Sequence, residues 1–338
     1  MGRVDKPLAL TLGDPAGIGP DITLLAFAAR HALTIPPFVL IGGPDVLAAR
    51  ARTLGLALDI EPIGHVGEAA SVFASALPVL PLPVTGEVSA GKPNHEAAAA
   101  VQQSIETAVT LVRGGAAAAV VTNPISKVVL RRAGFGFPGH TEYLASLAGL
   151  TPSDVAMMLV GGDLKVVPVT IHIALKEVMG ALDKERIVKT LSIVARDVAR
   201  YFGLARPRIA VAGLNPHAGE DGTMGREEID IIVPAIEAAR RQGLDVTGPH
   251  AADTLFHAEA RQTYDVVVAM YHDQALIPVK TLAFDTGVNV TLGLPFVRTS
   301  PDHGTAFALA GSGKASPHSL IAALRLAETM RRNADAKP

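Results

Sequence analysis

Six short runs of aliphatic and β-branched residues constrain this chain more than any other feature: Leu8–Leu12, Pro37–Ile41, Ala118–Thr122, Val166–Thr170, Arg208–Gly213 and Val266–Tyr271. Each is mostly apolar along its whole length, and most are flanked by Gly, Pro, Asn or Asp. A strand without a polar face must be covered on both sides, which is the condition of a mostly parallel sheet. The stretches between them read as helices: Ile22–His31, His95–Arg113, Ile187–Phe202, Glu227–Gln242 and a last one from about Ser316 to Arg332. In Glu227–Gln242, Ile229, Ile232, Val233 and Ile236 recur at helical spacing. Pro234 within it predicts a kink or a break, because proline has no N–H to donate and its ring crowds the preceding turn. The alternation places the chain in the α/β class. It shows no internal repeat, low-complexity segment or obvious linker.

At 338 residues and 49% hydrophobic, the chain can bury a sizeable core as one large domain or two medium ones. Its 30 basic and 32 acidic residues nearly cancel, for a net charge of −2. That balance argues against a nucleic-acid or anionic-membrane partner, so an anionic substrate must be held by a few local groups. Cysteine is absent, which excludes disulfides and thiolate chemistry and leaves His, Asp and Glu as metal ligands. Met1 to Leu12 lacks a secretory pattern, and apolar stretches such as Ala116–Val121 and Val266–Met270 are too short to span a bilayer. The expected location is the cytoplasm.

In open α/β sheets, ligands gather at the carboxyl ends of strands, and several polar clusters fall there. Gly13-Asp14-Pro15-Ala16-Gly17-Ile18-Gly19-Pro20 joins a strand to a helix. Its spacing fits neither GxGxxG nor a Walker A loop, so a structural turn and a ligand contact both stand. Thr122-Asn123-Pro124-Ile125-Ser126-Lys127 can orient a polar ligand, but a helix cap by Ser or Asn is the favoured reading. Pro138-Gly139-His140-Thr141-Glu142 packs a ring, a hydroxyl and a carboxylate into one turn. Thr141 suits an N-cap there, whereas His140 has no evident structural duty and points to function.

Of the 11 histidines, three end or follow strands: His172, His217 and His272. A lone strand-end histidine is more often hydrogen-bonded structure than a ligand. Three of them in a chain without cysteine suggest a three-His metal centre, which would leave a coordination position open for substrate. Further along, Lys280 and Arg298 are suited to a phosphate, Lys as a point charge and Arg as a fork. Solvated surface charge is their ordinary alternative. It suits Arg298 less well, beside the Gly293-Leu294-Pro295-Phe296 turn.

These segments together resemble the 4-hydroxythreonine-4-phosphate dehydrogenase family. The likeness runs in order from about residue 7 to residue 330. It is carried by Gly13–Pro20, Gly139–Glu142, Gly213–Glu220, Ala251–Phe256, Met270–Gln274 and Asn289–Ser300. The resemblance implies that His172, His217 and His272 are metal ligands and that His140, Thr141, Lys280, Asn289 and Arg298 contact substrate. It implies a homodimer with the active site at the subunit interface, metal ligands from both chains, one divalent metal (Zn, Mg, Co or Mn) per site, and NAD or NADP as oxidant. The substrate implied is a small phosphorylated amino acid, 4-phosphooxy-L-threonine, on the route to pyridoxal phosphate. The fold implied is similar to isocitrate and isopropylmalate dehydrogenases, two lobes around a cleft. The expected division is 1–130 with 275–338 for the cofactor side, and 131–274 for the metal ligands and dimer contact. The segment from Asp302 through Gly304 to Ala315 looks like the cofactor loop of that wider group, which accounts for the missing GxGxxG. The one departure is Ile173-Ala174-Leu175-Lys176 after His172, where a Leu-Pro-Leu-Arg type is common; no ligand falls in it.

The general base stays open between Lys280 and Asp253. Other readings remain: a paralogue acting on threonate or erythronate 4-phosphate or on an aromatic cis-diol dicarboxylate, an acyl-phosphate transferase, and a non-catalytic phosphometabolite binder.

Overall fold

The computed structural model describes residues 6–336. Part of the N-terminal segment read for a secretory pattern (1–5) and the last residues of the expected first lobe (337–338) lie outside them. The strands are β1 Leu8–Thr11, β2 Phe38–Gly42, β3 Ile60–Pro62, β4 Leu77–Pro81, β5 Val120–Val121, β6 Ala156–Gly161, β7 Leu164–Pro168, β8 Arg208–Ala212, β9 Asp245–His250, β10 Val266–Ala269, β11 Val288–Leu292 and β12 Arg298–Pro301. The chain divides into two compact units, one reaching to Gly149 and including Pro295–Arg331, the other Leu150–Leu294 with the residues from Arg332.

In the first unit the strands lie in the order β3-β4-β2-β1-β5-β12, and each pairs with its neighbours in parallel. β1 and β2 are buried along their whole length, as the absence of a polar face requires. In the second unit the order is β11-β6-β7-β10-β8-β9. There β7, β10, β8 and β9 run parallel, and β6 pairs antiparallel with both β7 and β11. The α/β class and the mostly parallel sheet are therefore present in both units. Among the described residues, no helix is long and apolar enough to cross a membrane.

The division differs from the expected one. Residues 131–149 group with the first unit, where the helix His140–Leu147 is tied to the helix Ala98–Arg113: the Tyr143 hydroxyl donates to Glu106 at 2.5 Å and Arg113 donates to the Leu147 carbonyl at 2.8 Å. Residues 275–294 group with the second, because β11 pairs with β6 and the helix His272–Ala283 packs on β6 and β7. Gly161 allows that packing, since a Cβ there would come within 2.6 Å of Val279 and 2.8 Å of Ala283. Lys280 and Asn289 consequently belong to the second unit.

Pro234 acts as expected, with a specific form. The helix Val233–Arg241 carries it in its first turn, and the preceding turn, Glu228–Ile232, is π-helical. Without an N–H at Pro234 the α-helical ladder cannot pass through, and the wider turn absorbs the break.

Candidate active site

The glycine loop after β1 is held from within. Gly13 sits at φ +69°, and a Cβ there would come within 2.7 Å of the Asn123 Cβ and the Pro124 carbonyl. Arg50 donates to the Gly17 carbonyl at 2.9 Å and the Pro15 carbonyl at 3.0 Å, and it pairs with Asp21. The other Asp21 oxygen accepts from the Gly311 N–H at 2.7 Å, and the Ile18 N–H donates to the Thr305 carbonyl at 2.9 Å. A buried ion pair thus joins the loop to segment 305–311. Of the two readings left open for this loop, the structural one accounts for every contact described.

A cavity of about 190 Å³ opens beside it, lined by Thr122, Asn123, Lys127, His140, Ser300 and His303 among others. Ser126 caps the helix Lys127–Arg132, accepting from the Val129 N–H at 3.4 Å, so the capping expectation holds at that residue. Asn123 instead braces the interior. Its Nδ2 donates to the Thr11 carbonyl at 3.0 Å and the Thr23 hydroxyl at 2.9 Å. His140 and Thr141 open the helix His140–Leu147, whose N-cap is Gly139, so Thr141 is in the first turn and is not the cap. Burial, then the charges of Arg298 and Lys127, hold the His140 imidazole well below the usual histidine range, so it is neutral at pH 7. Its Nε2 is buried with no partner among the described residues. Arg298 starts β12, is buried, and donates to the Thr122 hydroxyl at 2.6 Å. Burial lowers its pKa to about 10, which still leaves it charged. Gly304 also lines this cavity; a Cβ there would meet open space, so its value is not steric.

The three strand-end histidines fall in the second unit, after strands that are neighbours: His172 after β7, His272 after β10 and His217 after β8. The loops are tied to one another. The Thr170 hydroxyl donates to the Met270 carbonyl at 2.7 Å, joining the first to the second. Gln274 accepts from the Met270 N–H and donates to the Gly213 carbonyl, both at 2.7 Å, joining the second to the third. The His172 and His272 ring centroids are 5.6 Å apart, and both rings line one cavity of about 230 Å³. Asp273 accepts from His272 Nδ1 at 2.7 Å, which leaves Nε2 as the lone-pair nitrogen of the neutral ring.

His217 does not join them. Among the described residues, no group of three His, Cys, Asp or Glu side chains of one chain is placed to hold a metal. A two-imidazole pair fits part of a catalytic site, which uses three protein ligands. The His217 turn, Pro216–Gly222, is unusual: His217, Ala218, Glu220 and Asp221 all have positive φ, at 52°, 53°, 40° and 54°. Each costs on the order of 1 kcal/mol or more, so something must hold the turn. The holder is Glu228, buried in the π-helical turn. One of its oxygens accepts from the Leu214 N–H at 2.7 Å and the Asn215 N–H at 2.8 Å, and the other accepts from Asn215 Nδ2 at 2.9 Å. Sequence reading missed both Glu228 and Gln274. Glu228 stands in the charged run Arg226-Glu227-Glu228, where nothing separates it from surface charge, and the only signal for Gln274 was an amide two residues after His272.

Glu228→Gln turns one acceptor oxygen into a donor facing other donors. Hydrogen exchange across 214–225 is expected to speed by about tenfold or more, since hydrogen bonds to a charged group contribute roughly 1.5–3 kcal/mol. Unchanged exchange, read by mass spectrometry, would show that the turn does not depend on Glu228.

Other expected site residues are more dispersed within the second unit. Lys280 lies two turns along the helix from His272, with its ammonium 5.8 Å from the Phe284 ring centroid. Asn289 is in β11 opposite Leu159, and Asp253 is exposed in the turn Ala252–Thr254.

Residues 34–327 match the family model described as pyridoxal phosphate biosynthetic protein PdxA. A relative from Methylorubrum populi, named 4-hydroxythreonine-4-phosphate dehydrogenase, is 58% identical over 98% of this chain and 96% of its own. The crystal structure of 4-hydroxythreonine-4-phosphate dehydrogenase from Klebsiella pneumoniae superposes with a TM-score of 0.87 at 40% identity, covering 97% of this chain and all of that one (100%). A terephthalate 1,2-cis-dihydrodioldehydrogenase from Burkholderia xenovorans is more distant, with a TM-score of 0.65 and 30% identity over 96% of this chain and 98% of that one. With matches this long, ordered along the chain and joined to the same α/β fold, the chain belongs to the PdxA family of pyridoxal phosphate biosynthesis, a family of oxidoreductases.

Proposed function

We propose that this protein is a cytoplasmic, homodimeric, metal-dependent dehydrogenase that oxidises 4-phosphooxy-L-threonine with NAD or NADP. The product, 2-amino-3-oxo-4-phosphooxybutanoate, is a β-keto acid and loses CO2 to give 3-amino-2-oxopropyl phosphate. The observation that carries the reading is the set of three histidine loops, cross-tied at the ends of neighbouring parallel strands.

In this reading His172, His217 and His272 hold one divalent cation (Zn, Mg, Co or Mn), with His217 supplied across the dimer. A dimer is supported by exposed apolar side chains close to each histidine: Leu175 and Met179 after His172, Met224 after His217, and Ile277 after His272. When bound, the cation supplies Lewis acidity at the substrate's secondary alcohol, and the nicotinamide accepts the hydride. The chain's own groups bind and orient. Asp273 sets the His272 tautomer. Arg298, Lys280, Asn289, His140 and Thr141 hold the phosphorylated substrate, with His140 as a neutral donor or acceptor. Gly304 belongs to the cofactor side. Lys280 or Asp253 takes the alcohol proton.

The test is reduced-nicotinamide formation by the full chain with 4-phosphooxy-L-threonine, threonate 4-phosphate and an aromatic cis-diol dicarboxylate, each with and without a chelator. Fastest metal-dependent turnover of the first is expected. Preference for threonate 4-phosphate, or for the diol as the dihydrodiol dehydrogenase likeness allows, would move the assignment to a paralogous substrate.

A further inference from the structure

Besides His140 Nε2, the cavity contains two acceptors that have no partner among the described residues. Asn123 is fully buried, at 0% exposure. Its amide cannot be turned over, because Nδ2 donates to the Thr11 carbonyl, which can only accept. Oδ1 therefore faces away from both partners of Nδ2 and has none of its own among the described residues. His303 is only partly buried as a residue, but one of its ring nitrogens is enclosed. Its Nδ1 is 3.1 Å from the Gly304 carbonyl, so Nδ1 carries the hydrogen. In the neutral ring Nε2 is then a lone pair, buried and without a partner among the described residues. Both residues line the one cavity of about 190 Å³. A buried acceptor left unmatched is costly, so two in one cavity ask for a ligand that brings N–H or O–H groups.

The charge around them narrows the choice. Lys127 lines the cavity, and Arg298 is close enough to act on His140. Two positive groups disfavour an ammonium ligand. A bare anion has no hydrogens to give the two acceptors. A neutral group with paired donors meets both conditions, and a primary carboxamide is one such group.

Resting on the dehydrogenase reading, we propose that Asn123 Oδ1 and His303 Nε2 are the acceptors for the carboxamide NH2 of the nicotinamide ring, which seats the ring in this cavity beside His140. The assignment gives segment 302–304 a defined contact. It also makes the Asn123 brace to Thr11 and Thr23 a positioning device for the cofactor.

Dinucleotide analogues test this on the unmodified full chain by isothermal titration calorimetry, without turnover. Thionicotinamide adenine dinucleotide keeps the NH2, and 3-acetylpyridine adenine dinucleotide replaces it by a methyl group. The first is expected to bind about as tightly as NAD and the second about tenfold or more weaker, because two buried acceptors would lose their donor. In His303→Phe, NAD is expected to weaken toward the acetylpyridine analogue, so that the gap narrows to about threefold or less as one acceptor is gone. The phosphate-modified NADP forms are run alongside. Equal binding of NAD and the acetylpyridine analogue by the unmodified chain, or a gap unchanged in folded His303→Phe, overturns the assignment while leaving the dehydrogenase reading intact; ordered water would then satisfy the two acceptors. No binding of any dinucleotide overturns both.

Discussion

His272→Ala is expected to lower kcat/KM for the phosphorylated substrate by about three orders of magnitude or more, with little change in melting temperature. The activity loss follows from the proposed role. Lewis acidity at the reacting alcohol supplies several kcal/mol, and about 4 kcal/mol corresponds to roughly a thousandfold in rate. The small stability effect follows from placement: the ring sits at a cavity mouth, only partly buried, and its one described hydrogen bond goes to the well-exposed Asp273. Substitutions at such positions usually stay within about 0.5 kcal/mol. Metal content measured by mass spectrometry should fall in step with activity. Asp273→Asn should keep the first-order geometry and weaken metal binding by about 10–100-fold, because it loosens only the orientation of the imidazole. A His272→Ala protein that keeps full metal content and full turnover would remove His272 from the site.

Arg50→Met is expected to be the most destabilising single change, by about 3–5 kcal/mol. Arg50 and Asp21 are 4% and 0% exposed, so removing the guanidinium leaves a carboxylate in the interior with, among the described residues, the Gly311 N–H as its one remaining donor. It also strips the donors from the Gly17 and Pro15 carbonyls. Denaturant unfolding measures the loss, and Arg50→Met/Asp21→Leu should recover part of it by removing the unpaired charge. If the double variant is no more stable than the single one, the damage lies in the loop carbonyls and not in the stranded carboxylate.

Much of this was legible in one dimension because it depends on local composition. Runs apolar on both faces can only be interior strands, and all six found in the sequence contain or overlap observed ones. Proline's missing N–H marked the break before Val233. The resemblance likewise rests on local strings, and the family match agrees with it. The division of the chain was read less well. Residues 131–149 and 275–294 join their units through Tyr143–Glu106 and through the β6–β11 pairing, contacts between segments 37 or more positions apart.

By itself the sequence determined the α/β class, the absence of cysteine ligands, and the fact that His172, His217 and His272 each follow a strand. Those follow from side-chain chemistry and periodicity, which need no partner. Only the tertiary structure decided that β7, β10 and β8 are neighbours, that Thr170 and Gln274 lock their loops together, and that Glu228 holds the strained turn carrying His217. It alone turned Asn123 from a candidate cap into a buried acceptor. The reason is that a hydrogen-bond partner 61 residues away, as Gly213 is from Gln274, is chosen by how strands order in space, and spacing along the chain carries no trace of that order.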